Sequence, residues 1–265
     1  MAEEGEDLEM RFKFSAGGGA PISPWHDIPL YAGDGLLNFI CEIPKETSAK
    51  MEVATDEPTN PIKQVRRARH PPLRSTRSTG ASTDAARRAG VGGGEQQDTK
   101  DGALRFYPYS INWNYGLLPQ TWEDPAVAHP ELEVMGDNDP VDVVEVGSAP
   151  CEIGGVYKVK PIGALAMIDD GELDWKIIAI SVDDPKAAAI DGCEDLEREM
   201  PGEFEKIRVW FRDYKIPSGK PANVFGYDDK CMDKAFTLDV VAESSELYYA
   251  LKSGKRPNDE ELALS

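Results

Sequence analysis

Apolar and polar positions alternate through Lys50, Met51, Glu52 and Val53, so residues 49–55 predict a half-buried strand carrying both charges on one face. Longer, nearly unbroken apolar runs cover 156–168 and 175–182. They predict two core strands joined by an acidic hairpin loop, 169–174, around Gly171. Between Pro21 and Pro44, short apolar runs at 27–31 and 36–43 alternate with loops. Residues 185–200 and 244–253 predict helices, the second ending before Gly254. Short strands mid-chain and helices late predict an α+β fold around a small barrel.

One stretch breaks this patterning. Residues 65–97 hold seven arginines, no lysine, two acids and no aromatic residue. Only Val65, Leu73 and Val91 are large and aliphatic, too few to bury, so a disordered low-complexity loop is expected. The competing reading is a basic arm for nucleic acid or a partner. The flanks at 61–64 and 98–106 predict two strands about an Asp101-Gly102 turn, placing the insert at a hairpin tip. Lengthening that turn from about 4 to about 37 residues costs roughly 2 kcal/mol of closure entropy, which a domain survives. The block can be encoded with GT at its start and CAG at its end, so it reads as a retained intron or as a genuine loop.

Charge narrows the function. The 265 residues carry −19, and outside the basic block the remaining 232 carry −24. Such a surface repels nucleic acid and anionic membranes, so neither is an expected partner. Apolar residues make up 40%, enough for a substantial core. The four cysteines (Cys41, Cys151, Cys193, Cys231) form no CxxC pair, and there are three histidines, so neither a disulfide framework nor a thiolate zinc site is expected. With no apolar leader and no 18-residue apolar run, the expected location is the reducing cytoplasm. The chain divides into an acidic N-terminal extension (1–21), one domain (22–255) interrupted by the insert, and an acidic tail (256–265).

The densest chemistry is Gly136-Asp137-Asn138-Asp139-Pro140-Val141-Asp142. On an extended backbone Asp137 and Asp139 share a face, and Asp142 points the other way unless Pro140 redirects the chain. Hard oxygen ligands at this density suit Mg²⁺, although acidic turns are often merely solvated. An EF-hand does not fit, because Val141 occupies a ligand position and no Glu follows at position twelve. A second acidic group lies at 169–174, and Lys50, Arg105, Tyr115, Lys176, Tyr214 and Lys215 supply cations and hydroxyls. Carboxylates with metals and basic side chains together suit phosphoryl chemistry. No phosphate-binding GxxxxGK[ST] loop, GxGxxG or GxSxG motif is present.

The runs Pro119-Gln120-Thr121-Trp122-Glu123-Asp124-Pro125, GDNDPVDV, DDGELDWKIIAI and WFRDYKIPSGKP, with Lys50-Met51-Glu52 and Asn114-Tyr115-Gly116, resemble the soluble inorganic pyrophosphatases of family I, eukaryotic type. The resemblance spans about 25–254, apart from the insert. It implies a five-stranded, OB-like barrel with peripheral helices, and hydrolysis of inorganic diphosphate to two orthophosphates with several Mg²⁺ ions. It further implies Asp137, Asp142 and Asp174 as ligands of the metals flanking the attacking water, which those metals bridge. Asp169 and Glu52 become ligands of the metals arriving with substrate, and Asp139 the general base. Arg105, Lys50, Tyr115, Tyr214 and Lys215 become phosphate holders, with Lys176 and Glu42 as supporting polar residues. A homodimer is implied as well. Between Arg105 and Tyr115 the chain is shorter than the family pattern, and a family tyrosine before Tyr115 has no clear match, with Tyr109 and Ile111 nearby. The alternative is a catalytically weak Mg²⁺-binding relative with a regulatory or partner-binding role.

Overall fold

The computed structural model describes residues 11–66 and 103–265. The expected disorder of the insert therefore lies outside the described residues, apart from its first two positions. Five strands form the centre: β1 (Leu36–Ile43), β2 (Asn114–Leu117), β3 (Asp142–Glu145), β4 (Val156–Asp169) and β5 (Glu172–Ser181). β1 pairs with β2, β2 with β3 and β4 with β5, all antiparallel, while β3 and β5 run parallel. An antiparallel pairing of β4 with β1 (Val156 opposite Ile40) closes the ring. The α+β, OB-like barrel expected from the sequence is thus present. Closure removes the exposed edges that an open sheet of these apolar strands would leave. Both faces of the strands are buried and apolar: Ile40, Leu165 and Ile178 share one core cluster, and Val143 and Ile177, on the opposite face, another.

The hairpin prediction at 156–182 needs one correction. The strands run further than expected, through Asp169 and from Glu172, leaving only Asp170 and Gly171 as the turn. Both have positive φ, 51° and 97°, a geometry that suits a tight hairpin turn. Asp169 and Asp174 therefore sit on strands rather than on a loop.

The helices also differ from expectation. Residues 185–200 are not one helix but a 3₁₀ turn at Ala187–Ala189 and then α1, Cys193–Glu199, separated by Ile190, Asp191 and an extended Gly192. α2, Glu203–Asp213, was not foreseen; its buried face is Ile207, Trp210 and Phe211. α3 begins at Lys234, ten residues before the predicted start, because Asp233 caps it by accepting from the Phe236 N–H at 2.9 Å.

Both ends of the described chain are packed onto the domain. Arg11–Phe12 pairs with Ile62–Lys63. At the other end Leu262 is buried, the Ala263 N–H donates to Thr55 O at 2.7 Å, and Arg256 clamps Asp124 through two 2.9 Å hydrogen bonds. At the insert's base, the Arg105 N–H donates to Val65 O at 2.8 Å and Arg66 bridges Leu104. The two flanks are adjacent there, and the expected Asp101-Gly102 turn lies outside the described residues.

A further correction concerns sulfur. Cys193 and Cys231 form a disulfide, although none was expected from their separation of 38 residues. The start of α1 and the segment before α3 converge over Gly163 of β4, where a side chain would collide with both sulfurs at 2.5 Å. Cys41 and Cys151 are free.

Candidate active site

One cavity of about 260 Å³ opens at the barrel, and all thirteen side chains singled out in the sequence line it. Strand geometry explains most of this convergence. On β5, Asp174 and Lys176 are two residues apart and share a face. Parallel pairing sets Asp142 of β3 beside Lys176. The Lys176 ammonium, inaccessible to solvent, bonds both Asp142 (2.5 Å) and Asp174, and reaches the Tyr115 hydroxyl at 3.1 Å. Tyr115 also donates to Asp142. Burial opposes a charged Lys176, but the two carboxylates hold its pKa well above the usual lysine value.

Glu42 arrives by a different device. The β1–β2 register slips between Cys41 and Ile43, and this bulge aims Glu42 into the interior. There it accepts from the Val53 N–H at 2.6 Å and remains buried. Burial first, then Asp142 and Glu52, push its pKa well up.

The 137–142 turn corrects the expectation for Asp142, which faces the same cavity as Asp137 and Asp139. The chain is not extended there. Asn138 has φ 73° and the Asp139 N–H donates to Asp137 Oδ1 at 3.0 Å, so the turn folds back before Pro140 and Val141 lead into β3. Asp139 keeps an open face on the cavity. Even so, reduced solvation and then the nearby Glu52 and Asp142 lift its pKa to about 8. Asp174 is lifted to about 7 by burial, with Lys176 pulling the other way.

Lysines line the cavity too, each beside a carboxylate. Lys50 pairs with Glu52, and Lys215 with Asp169, which also accepts from the Tyr214 hydroxyl at 3.1 Å. Tyr214 and Lys215 follow directly from the end of α2, whose buried face fixes them at the mouth.

The sequence reading missed several lining residues. Lys220 pairs with Asp170 at 2.5 Å, and Glu172 and Asp170 extend the acidic wall. Tyr107 also lines the cavity; its ring meets Trp210 and Tyr214 edge-on at 5.0 and 5.6 Å, while Tyr109 is exposed and Ile111 is core. Nothing in the local sequence distinguishes Tyr107 from Tyr109; only the packing of α2 does. Glu123 was missed too. One of its carboxylate oxygens lies within 4.8 Å of those of Asp137 and Asp174.

The family model for inorganic pyrophosphatase matches residues 39–249. The chain belongs to the inorganic pyrophosphatase family. A soluble inorganic pyrophosphatase 1, chloroplastic, from Chlamydomonas reinhardtii is 59% identical over 259 residues, 98% of this chain and 80% of that protein. The inorganic pyrophosphatase of Mus musculus is 40% identical over 253 residues, 94% and 76% respectively. Among solved structures, the type I inorganic pyrophosphatase of Toxoplasma gondii superposes with a TM-score of 0.75 at 36% identity, covering 92% of this chain and all of that one. The matched region thus takes in the barrel and the cavity residues. No helix among the described residues is long and apolar enough to cross a membrane.

Proposed function

We infer that the chain hydrolyses inorganic diphosphate to two orthophosphates. The carrying observation is one cavity lined by both carboxylates and cations, in a chain of the inorganic pyrophosphatase family. A weakly active relative would lack a metal ligand or the base, and the five expected ligands and Asp139 all line the cavity.

The donor set fits divalent cations. It is all oxygen; burial first, and then neighbouring carboxylates, push Asp137, Asp139 and Asp174 upward in pKa, and Glu123 Oε2 is buried without a hydrogen-bond partner. Asp137, Asp142 and Asp174 would hold cations on the side of the attacking water, and Asp169 and Glu52 those that arrive with diphosphate. Mg²⁺ is the hard, oxygen-seeking ion such a set suits. When bound, the cations offset the charge of the polyanion and make water more acidic.

The chain's own groups do the rest. Asp142 and Asp174 are committed to Lys176, Asp169 to Lys215 and Glu52 to Lys50. Asp139 has no ion pair among the described residues and opens on the cavity, so its carboxylate is placed to take a proton. It acts as the base at its carboxylate oxygen. Lys50, Arg105, Tyr115, Tyr214 and Lys215 hold phosphate oxygens and orient the substrate. Lys176 and Glu42 fix Asp142 and the β1 bulge from behind.

Asp139→Asn is expected to lower kcat by about 100-fold or more while Mg²⁺ still raises the melting temperature. Near-normal turnover in that variant would remove Asp139 from its role. A homodimer is proposed from the family resemblance, and sedimentation checks it. The compartment is cytoplasmic by the sequence reading, whereas two of the relatives, at 59% and 53% identity, are named chloroplastic. Imaging of the tagged full-length protein separates cytosol from plastid.

A further inference from the structure

Asp139 has no ion pair among the described residues, so the backbone of the 136–139 turn sets where its carboxylate points. That turn is carried by a neighbouring segment, 122–124. The Glu123 N–H donates to Asp139 O at 3.0 Å, the Asn138 N–H to Glu123 O at 2.9 Å and the Gly136 N–H to Asp124 O at 3.3 Å. A fourth contact joins side chains: the Trp122 indole N–H donates to Asn138 Oδ1 at 3.1 Å. Asn138 is the residue whose left-handed backbone folds the turn back, so this bond acts where the turn's shape is decided.

Segment 122–124 is itself held by a residue beyond α3. Arg256 donates through Nε and Nη2 to the two carboxylate oxygens of Asp124, each at 2.9 Å, and its guanidinium carbon lies 5.3 Å from the centre of the Trp122 ring. Asp124 and Trp122 are both buried, so the fork stands in for water that the carboxylate has lost. Arg256 is anchored in turn: its backbone N–H donates to Ala250 O at 3.0 Å, and Glu260 accepts from Nη2 at 2.7 Å. A planar guanidinium can meet a carboxylate with two parallel bonds and lie over an indole at once; an ammonium is a point charge without that fork. Arg256 does not line the main cavity.

We propose that Arg256 is a positioning residue for hydrolysis: by clamping Asp124 and covering Trp122 it fixes segment 122–124, which aims Asp139 into the cavity. Arg256 touches neither substrate nor the reacting atoms and acts through the turn alone. This role rests on the diphosphatase reading, with Asp139 as the base.

The variants are Arg256→Lys, which keeps the charge and loses the fork, and Asn138→Gly, which suits the left-handed backbone and removes the bond to Trp122. Orthophosphate release is measured at saturating Mg²⁺ over a range of diphosphate. Arg256→Lys is expected to lower kcat about tenfold or more with KM within about twofold, since the phosphate holders are untouched. Asn138→Gly should lower kcat as well, and the double variant should lose less than the product of the two, because both act on one turn. Wild-type kcat in folded Arg256→Lys, whatever its melting temperature, would overturn the role. Fully multiplicative losses would put the two residues on separate routes and overturn it too. Should Arg256→Lys not fold, Asn138→Gly decides alone, and wild-type kcat there removes the route through Trp122.

Hydrogen exchange gives a readout that needs no turnover. In Arg256→Lys the amides of Glu123, Gly136 and Asn138 should exchange about tenfold faster while those of β4 and β5 keep their protection. Unchanged protection in the turn sinks the positioning role, and so does a rise spread evenly over the barrel, the mark of a merely structural loss. Failure of the functional reading looks different: exchange in the turn rises in the variant, yet the wild-type chain releases no orthophosphate from diphosphate.

Discussion

His26 is satisfied on both ring nitrogens at the junction of three segments. Its Nε2 lies 2.9 Å from Ala263 O and its Nδ1 2.9 Å from the Tyr248 hydroxyl. The carbonyl accepts only, so Nε2 carries the proton and Nδ1 accepts from tyrosine; this is a neutral imidazole. Burial lowers its pKa below 6.5, against the raising effect of the Ala263 carbonyl. The unfolded chain therefore takes up the proton first as pH falls. Stability from this group is complete above about 6.5 and is lost progressively below it. Melting curves of wild type and His26→Gln should differ most at pH 7 and converge toward pH 5; a constant difference would disprove the linkage. The same scale shows what spacing conceals. Asp137 and Asp139 were legible as ligand types, but positive φ at Asn138 turns Asp142 into their cavity, and Tyr107 is selected over Tyr109 only by contact with Trp210 and Tyr214.

At the scale of elements, the barrel depends on close backbone approaches that strand patterning does not record. Gly116 of β2 lies opposite Cys41 and Val143, and a Cβ there would sit 2.0 Å from Ile40 O. Gly116→Ala should cost about 3 kcal/mol or more, measured by urea unfolding, and should cut turnover too, because Tyr115 and the Glu42 bulge lie on the same seam. The Cys193–Cys231 bond closes a 38-residue separation linking α1 to the approach to α3. On chain-entropy grounds it contributes about 4 kcal/mol. Cys193→Ser with Cys231→Ser should lower the melting temperature by several degrees, and no change would indicate that the covalent link adds nothing beyond packing on Gly163.

Across the whole molecule, −19 overall and a carboxylate-lined cavity couple stability to divalent ions. Mg²⁺ at a hundred times its dissociation constant should add about 2.7 kcal/mol per site bound only by the folded state, a rise of roughly 5–10 °C in melting temperature, which chelator reverses. A salt of the same ionic strength without a divalent cation should not reproduce it. An ion-independent melting temperature would show that the cavity holds no cation at equilibrium.

The order and type of chemical groups were fixed by sequence alone. Alternation placed Lys50 and Glu52 on one face, apolar runs marked β4 and β5, and the aspartate-rich turn with Lys176 and Tyr214-Lys215 announced phosphate and metal chemistry. These are local properties of period and side-chain type. Only the tertiary structure decided the closure of β4 onto β1, the direction of Asp142, the bulge at Glu42, the Cys193–Cys231 pairing and the arrival of Tyr107 and Glu123 at the site. Each depends on segments far apart in the chain meeting at a few ångströms, and a one-dimensional pattern of hydrophobicity and charge carries no record of those meetings.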